Sequence, residues 1–163
     1  RVKFFEQVDW TGIDARLGGN WMQVPDGSPI EPLLMHQRGD CVDNWDAARI
    51  YRSAKVGANL YRQETSEHGT ADGWAMGPRE VELAACGSFF LRNPRPEGDD
   101  LFPMLPTFTE PAEFHDLLRW WLAHDTERTT AAAAARAAIA DRTFSNTAAH
   151  LLRLVEGVTK TVR

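Results

Sequence analysis

Hydrophobic positions along this chain recur with two different periods: short strand-like runs interleaved with helices up to about residue 108, and helical spacing alone after it. Downstream, Phe114, Leu117, Leu118, Trp121 and Leu122 fall at i, i+3, i+4, i+7 and i+8. That is the apolar stripe of a helix, here starting at Thr109 or Glu110 and ending at His124-Asp125. A second helix is predicted over 126–142, whose alanine run 131–135 is a strong helix former. A third, over 145–156, is expected to pack through Ala148, Leu151, Leu152 and Val155. Upstream the apolar runs are short, as strands are. Residues 2–5, 56–60, 88–91 and 107–108 each read as one. Residues 13–17 alternate apolar and polar like a half-buried strand and end in the turn signal Gly18-Gly19-Asn20-Trp21. Residues 22–40 are rich in Pro and Gly and read as loop, with one helical turn at 32–35. Asp43-Asn44 can cap a helix over 45–53, with Ala47, Ile50, Tyr51 and Ala54 at helical spacing.

The best-marked element is G-P-R-E-V-E-L-A-A-C-G, residues 77–87. Pro78 suits a first helical turn, where its missing N–H costs nothing, and Gly87 suits the left-handed position that stops a helix. A polar loop, 64–73, precedes it and the apolar run 88–91 follows. Loop, helix and strand in that order put a helix amino end, with free N–H groups and partial positive charge, at a sheet edge where an anion can dock. Strands interleaved with helices predict an α/β, Rossmann-like, doubly wound fold. The expected sheet is mainly parallel, with four or five strands. One domain over 1–163 is expected, an α/β core to about 108 and a helical tail over 109–163.

Bulk composition narrows the function classes. The apolar fraction of 43% and charged fraction of 25% are those of a globular domain, and 163 residues suffice for one core. A net charge of −5 does not favour nucleic acid as a partner. The two cysteines, Cys41 and Cys86, form neither a disulfide framework nor a C-x-x-C metal pattern and fit a reducing, cytoplasmic setting. No apolar run approaches the roughly 20 residues of a membrane span. No signal peptide is evident. The chain starts on Arg1 within an apolar segment, which reads as a piece of a longer protein.

Several residues could carry chemistry. Arg62 and Arg79 could neutralise a diphosphate at the amino end of the 77–87 helix, and Glu82 could accept hydrogen bonds from ribose hydroxyls. Alternatively Arg79 and Glu82 form a surface pair at i, i+3 worth a few tenths of a kcal/mol. Asn59, at a strand end beside Tyr61 and Arg62, either lines a cleft or bonds to a neighbouring loop. Gly77 marks the helix start, and His68 is the histidine placed to touch a ligand. His36, His115, His124 and His150 show no metal-ligand spacing. Gly18-Gly19 is not the G-x-G-x-x-G fingerprint, which speaks against a nicotinamide enzyme or epimerase. Ser66-Glu67-His68 lacks the G-x-S-x-G elbow of a hydrolase. Trp120 and Trp121 read as core and interface residues, Cys86 as a small buried residue, and Glu97, Asp99 and Asp100 as a solvated loop.

R-E-V-E-L-A-A-C-G resembles the R-x-x-E-x-x-A-C-G core of the GT-B glycosyltransferases, especially the group 1 and CgeB-like (spore-maturation) branch. I-Y-R-S-A-K-V-G-A-N-L-Y-R before it, D-D-L-F after it, P-A-E-F-H-D-L-L-R-W-W-L-A-H-D-T-E-R and A-R-A-A-I-A-D-R-T-F match in order, covering about 43–156. The resemblance implies the donor-binding half of a GT-B enzyme, taking a nucleotide-diphosphate sugar at the carboxyl ends of the strands. Glu82 would be the second glutamate of the E-x7-E pattern, contacting ribose, while the place of the first is taken by Trp74. With that departure, no catalytic role carries over from the retaining E-x7-E enzymes. Arg79 and Asn59 match the arginine and strand-end asparagine of the branch. The resemblance implies no metal and no cofactor, and an N-terminal acceptor domain of the same protein as partner. A chain lacking that domain is expected to bind a nucleotide without efficient transfer. The alternative is a non-catalytic α/β module that binds a nucleotide or docks a protein through its helical tail.

Overall fold

The computed structural model describes residues 1–35, 38–61 and 73–161. Its elements run α1 (Val2–Phe5), a 3-10 turn (Glu31–Leu33), α2 (Asn44–Ser53), β1 (Gly57–Asn59), α3 (Pro78–Ala85) and β2 (Phe90–Arg92). They continue with α4 (Pro96–Leu101), α5 (Pro111–Ala123), α6 (Asp125–Ala138) and α7 (Phe144–Thr161).

Local signals account for much of this. The Asp43 carboxylate accepts from the amides of Trp45 (2.8 Å) and Asp46 (2.9 Å) and so opens α2. Pro78 opens α3, and Gly87 closes it at φ +74°. The Gly87 amide bonds Ala84 O and the Ser88 amide bonds Leu83 O, the two bonds of a Schellman stop. That stop claims Ser88 for the helix exit, so β2 begins at Phe90 rather than at 88. β1 and β2 pair in parallel, with Gly57 opposite Phe90, Ala58 opposite Leu91 and Asn59 opposite Arg92. α3 crosses between them and presses on the sheet at Gly57. A Cβ there would lie 3.0 Å from Leu83 Cδ2, so the close approach favours a glycine.

The sheet is smaller than the four or five strands expected: among the described residues it has two. Residues 107–108 add a single parallel bridge, Thr107 to Arg92. Residues 13–17 alternate in burial as predicted, but their ladder shrinks to one bridge, Leu17 to Leu34. Residues 2–5 are not a strand. The amides of Phe5 and Glu6 bond four residues back, and the turn brings Phe5 and Val8 into the core together. There Phe4, Phe5, Phe108 and Phe114 form an aromatic cluster with ring centroids 4.8–6.0 Å apart. A four-residue apolar run becomes a strand only where a neighbour supplies backbone partners, and this one has packing partners instead.

α5 follows its predicted stripe. Phe114 and Leu118 are buried, and Trp121 lies against Phe89 at 4.3 Å between centroids. α6 turns its small side chains Ala131, Ala132 and Ala135 inward and packs on α3. Arg128 is buried at this joint, where its guanidinium donates to Trp121 O (2.6 Å) and pairs with Asp125. The end of α5 is thereby capped. α7 departs from expectation. Leu151, Leu152 and Val155 are exposed rather than packed, as is Phe144. No helix among the described residues is long and apolar enough to cross a membrane.

Candidate functional site

A parallel strand–helix–strand unit gathers its strand ends and the amino end of its helix at one place, and polar side chains collect there. The last residue of β1, Asn59, is buried, and its Nδ2 donates to Glu80 Oε1 at 3.2 Å. Two residues on, the Tyr61 hydroxyl accepts from the Gly77 amide at 2.7 Å and so covers the first free N–H of α3. The Tyr61 amide donates to Asn93 Oδ1 (2.9 Å), which follows β2, and Asn93 Nδ2 donates to Phe108 O (2.9 Å). Arg95 lies over the Tyr61 ring, its guanidinium carbon 4.6 Å from the centroid.

Glu80 is the surprise of this region. It has no exposed surface, although it stands in the first turn of α3. Arg92, the last residue of β2, is buried beside it and pairs with Asp99 of α4 at 2.7 Å. Both charged side chains crowd the backbone of Gly98. A Cβ on that residue would sit 2.8 Å from Arg92 Nη1 and 3.4 Å from Glu80 Oε2. Glu80 Oε2 and Arg92 Nε make no hydrogen bond among the described residues. Burial raises the pKa of Glu80, opposed by the hydrogen bonds from Asn59 and Tyr61 and by the charge of Arg92. Burial also pushes the Tyr61 hydroxyl up to about 12, so it stays protonated. The network ties β1, α3, β2 and α4 together through side chains.

The sequence-derived site residues divide around it. Gly77 and Arg79 do stand at the amino end of α3. Arg79 is exposed and donates to the Tyr51 hydroxyl of α2 at 3.0 Å, not to Glu82. Glu82 is exposed on the outer face of α3. Asn59 is buried in the network, facing Glu80 rather than an open cleft. Arg62 and His68 lie outside the described residues, as does most of the 64–73 loop. Pro78 has no N–H, and the Glu80 amide turns back to Gly77 O at 3.2 Å. In this turn the Arg79 amide is left without an acceptor among the described residues. A free amide, a helix dipole and a guanidinium there suit an anion.

Sequence reasoning passed over Glu80 and the short helix α4. The signal for Glu80 was present: with Leu83 and Ala84 it makes an i, i+3, i+4 set, the buried face of α3. The acidic stretch read as a solvated loop is the first turn of α4, where Glu97 and Asp99 complement the helix dipole. Among the described residues no group of three His, Cys, Asp or Glu side chains comes together as a metal site.

The profile of the glycosyl transferase-like family matches residues 1–153. The chain belongs to that family. No curated protein and no solved structure matches it. The glycosyl transferase-like assignment covers the α/β unit, α5 and α6 together, so the strand-end cluster lies wholly within the matched region.

Proposed function

We propose that this chain is the donor-binding half of a GT-B glycosyltransferase of the CgeB-like branch, taking a nucleotide-diphosphate sugar. One observation carries the reading. The amino end of α3 opens at the carboxyl ends of a parallel strand pair, fastened there by the Tyr61–Gly77 and Asn59–Glu80 bonds. In this reading the diphosphate rests on the Arg79 amide and guanidinium, and Glu82 reaches the ribose from the exposed face of α3. Asn59 acts through Glu80, holding the strand end to the helix start. Arg62 and His68 complete the donor contacts in this reading. The helix end and arginine charge supply what a metal would otherwise supply to the leaving diphosphate. Transfer to an acceptor requires a second domain facing these strand ends.

Isothermal titration with UDP and GDP tests the reading. Both are expected to bind, and Arg79→Ala is expected to weaken both by about tenfold, the worth of one charge-assisted contact. Unchanged heats in the variant would count against it. The exposed apolar side chains of α7 favour a second role as a protein-docking module. Melting temperatures across a nucleotide panel separate the two, because only a ligand of the folded state raises them.

A further inference from the structure

The segment that leads into α3, Gly73-Trp74-Ala75-Met76-Gly77, is fastened along its length. Gly73 O accepts from Arg95 Nη1 (2.7 Å) and Trp74 O from the Glu97 amide (3.1 Å). The Met76 amide donates to Glu97 Oε2 (3.0 Å) and the Gly77 amide to the Tyr61 hydroxyl (2.7 Å). Glu97 is itself held by Arg142 at 2.9 Å. The glycines at both ends are in close packing: a Cβ on Gly73 would lie 3.1 Å from Arg95 Nη1, and one on Gly77 3.3 Å from Tyr61 Cε1. Yet the one aromatic side chain on this fixed backbone, Trp74, is 61% exposed. An indole mounted on a backbone that is already ordered loses little further freedom when something stacks on it.

We propose that Trp74 is the platform on which the nucleobase of the donor stacks, an inference that rests on the donor-binding reading above. Trp74 precedes Pro78 by four residues and so lies within about 14 Å of the helix start. A base attached to a diphosphate at that start falls within this reach. Apart from the indole N–H of Trp74, the segment carries no side-chain hydrogen-bonding donor: its residues are Gly, Trp, Ala, Met and Gly. A sugar ring laid here would find only the indole N–H for its several hydroxyls on these side chains, whereas the flat face of a base needs none. The same scarcity of polar side chains leaves the base edge unread from this side. Trp74 therefore supplies affinity for any base and discriminates little among them.

Titration calorimetry with UDP, GDP, ADP, a UDP-sugar and inorganic pyrophosphate on wild type, Trp74→Ala and Trp74→Phe tests this. Trp74→Ala is expected to weaken all three nucleotides by about tenfold, within the usual range of base–aromatic stacking, and to leave pyrophosphate unchanged. Trp74→Phe should recover most of the loss. Equal losses for pyrophosphate and nucleotides, or no loss at all, would overturn the platform while the donor-binding reading stood. A larger loss for a nucleotide-sugar than for its nucleotide would also overturn it, placing the sugar on the indole. Wild type that binds no nucleotide would overturn both.

Discussion

Replacing Arg92 with Met exposes how the buried network is balanced. Methionine keeps an unbranched apolar stem in the core and removes the guanidinium. Asp99, with 48% of its side chain exposed, returns to water at little cost. Glu80 has no such exit, because it is completely buried. Without Arg92 it must either stay charged in the core or take up a proton. Leaving a buried charge uncompensated typically costs about 3–5 kcal/mol, but protonation sets a ceiling. An ordinary glutamate titrates near 4.5, and each pH unit above that adds about 1.4 kcal/mol to the cost of keeping the proton. The ceiling on this term is therefore about 3 kcal/mol at pH 7 and under about 1 kcal/mol at pH 5. The sign follows from linkage. Burial raises the pKa of Glu80 in the folded chain, so the folded state holds the proton more tightly than the unfolded one. The stability this brings is complete below the unfolded value and is lost as pH rises through the folded value. Removing Arg92 raises the folded value further, so Arg92→Met goes on losing stability at pH values where wild type has stopped. Urea unfolding of both proteins at pH 5 and pH 7 reads the gap, which should be clearly larger at pH 7. A gap of the same size at both pH values would refute the claim that Arg92 offsets the charge of Glu80.

Two further substitutions probe local geometry. Gly98→Ala within α4 would ordinarily stabilise a helix by about 1 kcal/mol, but here the new Cβ meets a fixed, buried guanidinium at 2.8 Å. The expected outcome is a loss of about 2 kcal/mol in chemical denaturation, and a more stable variant would show that Arg92 can move aside. Asp43→Ala removes the carboxylate that holds two amides of α2 and should lower stability by about 1 kcal/mol, read as a lower urea midpoint at unchanged slope.

What the sequence determined by itself are the features whose causes lie within a turn or two of chain. Asp43 caps α2, Pro78 and Gly87 bound α3, and the stripe from Phe114 to Leu122 forms α5, because each rests on neighbours three or four residues away. The parallel pairing of β1 with β2 was legible through the loop–helix–strand order around α3. Tertiary structure decided the rest. Residues 2–5 became helical because aromatic partners met them and, among the described residues, no strand did. α7 was expected to pack, yet its apolar residues stayed exposed, since periodicity predicts an apolar face but does not supply the surface to cover it. Glu80 and Glu82, two positions apart, point to opposite sides of one helix, and the local code treats them alike. Which of them goes inward depends on Asn59 and Arg92, brought from two different strands. A buried charge is tolerated only where such distant partners converge, and that convergence belongs to the fold.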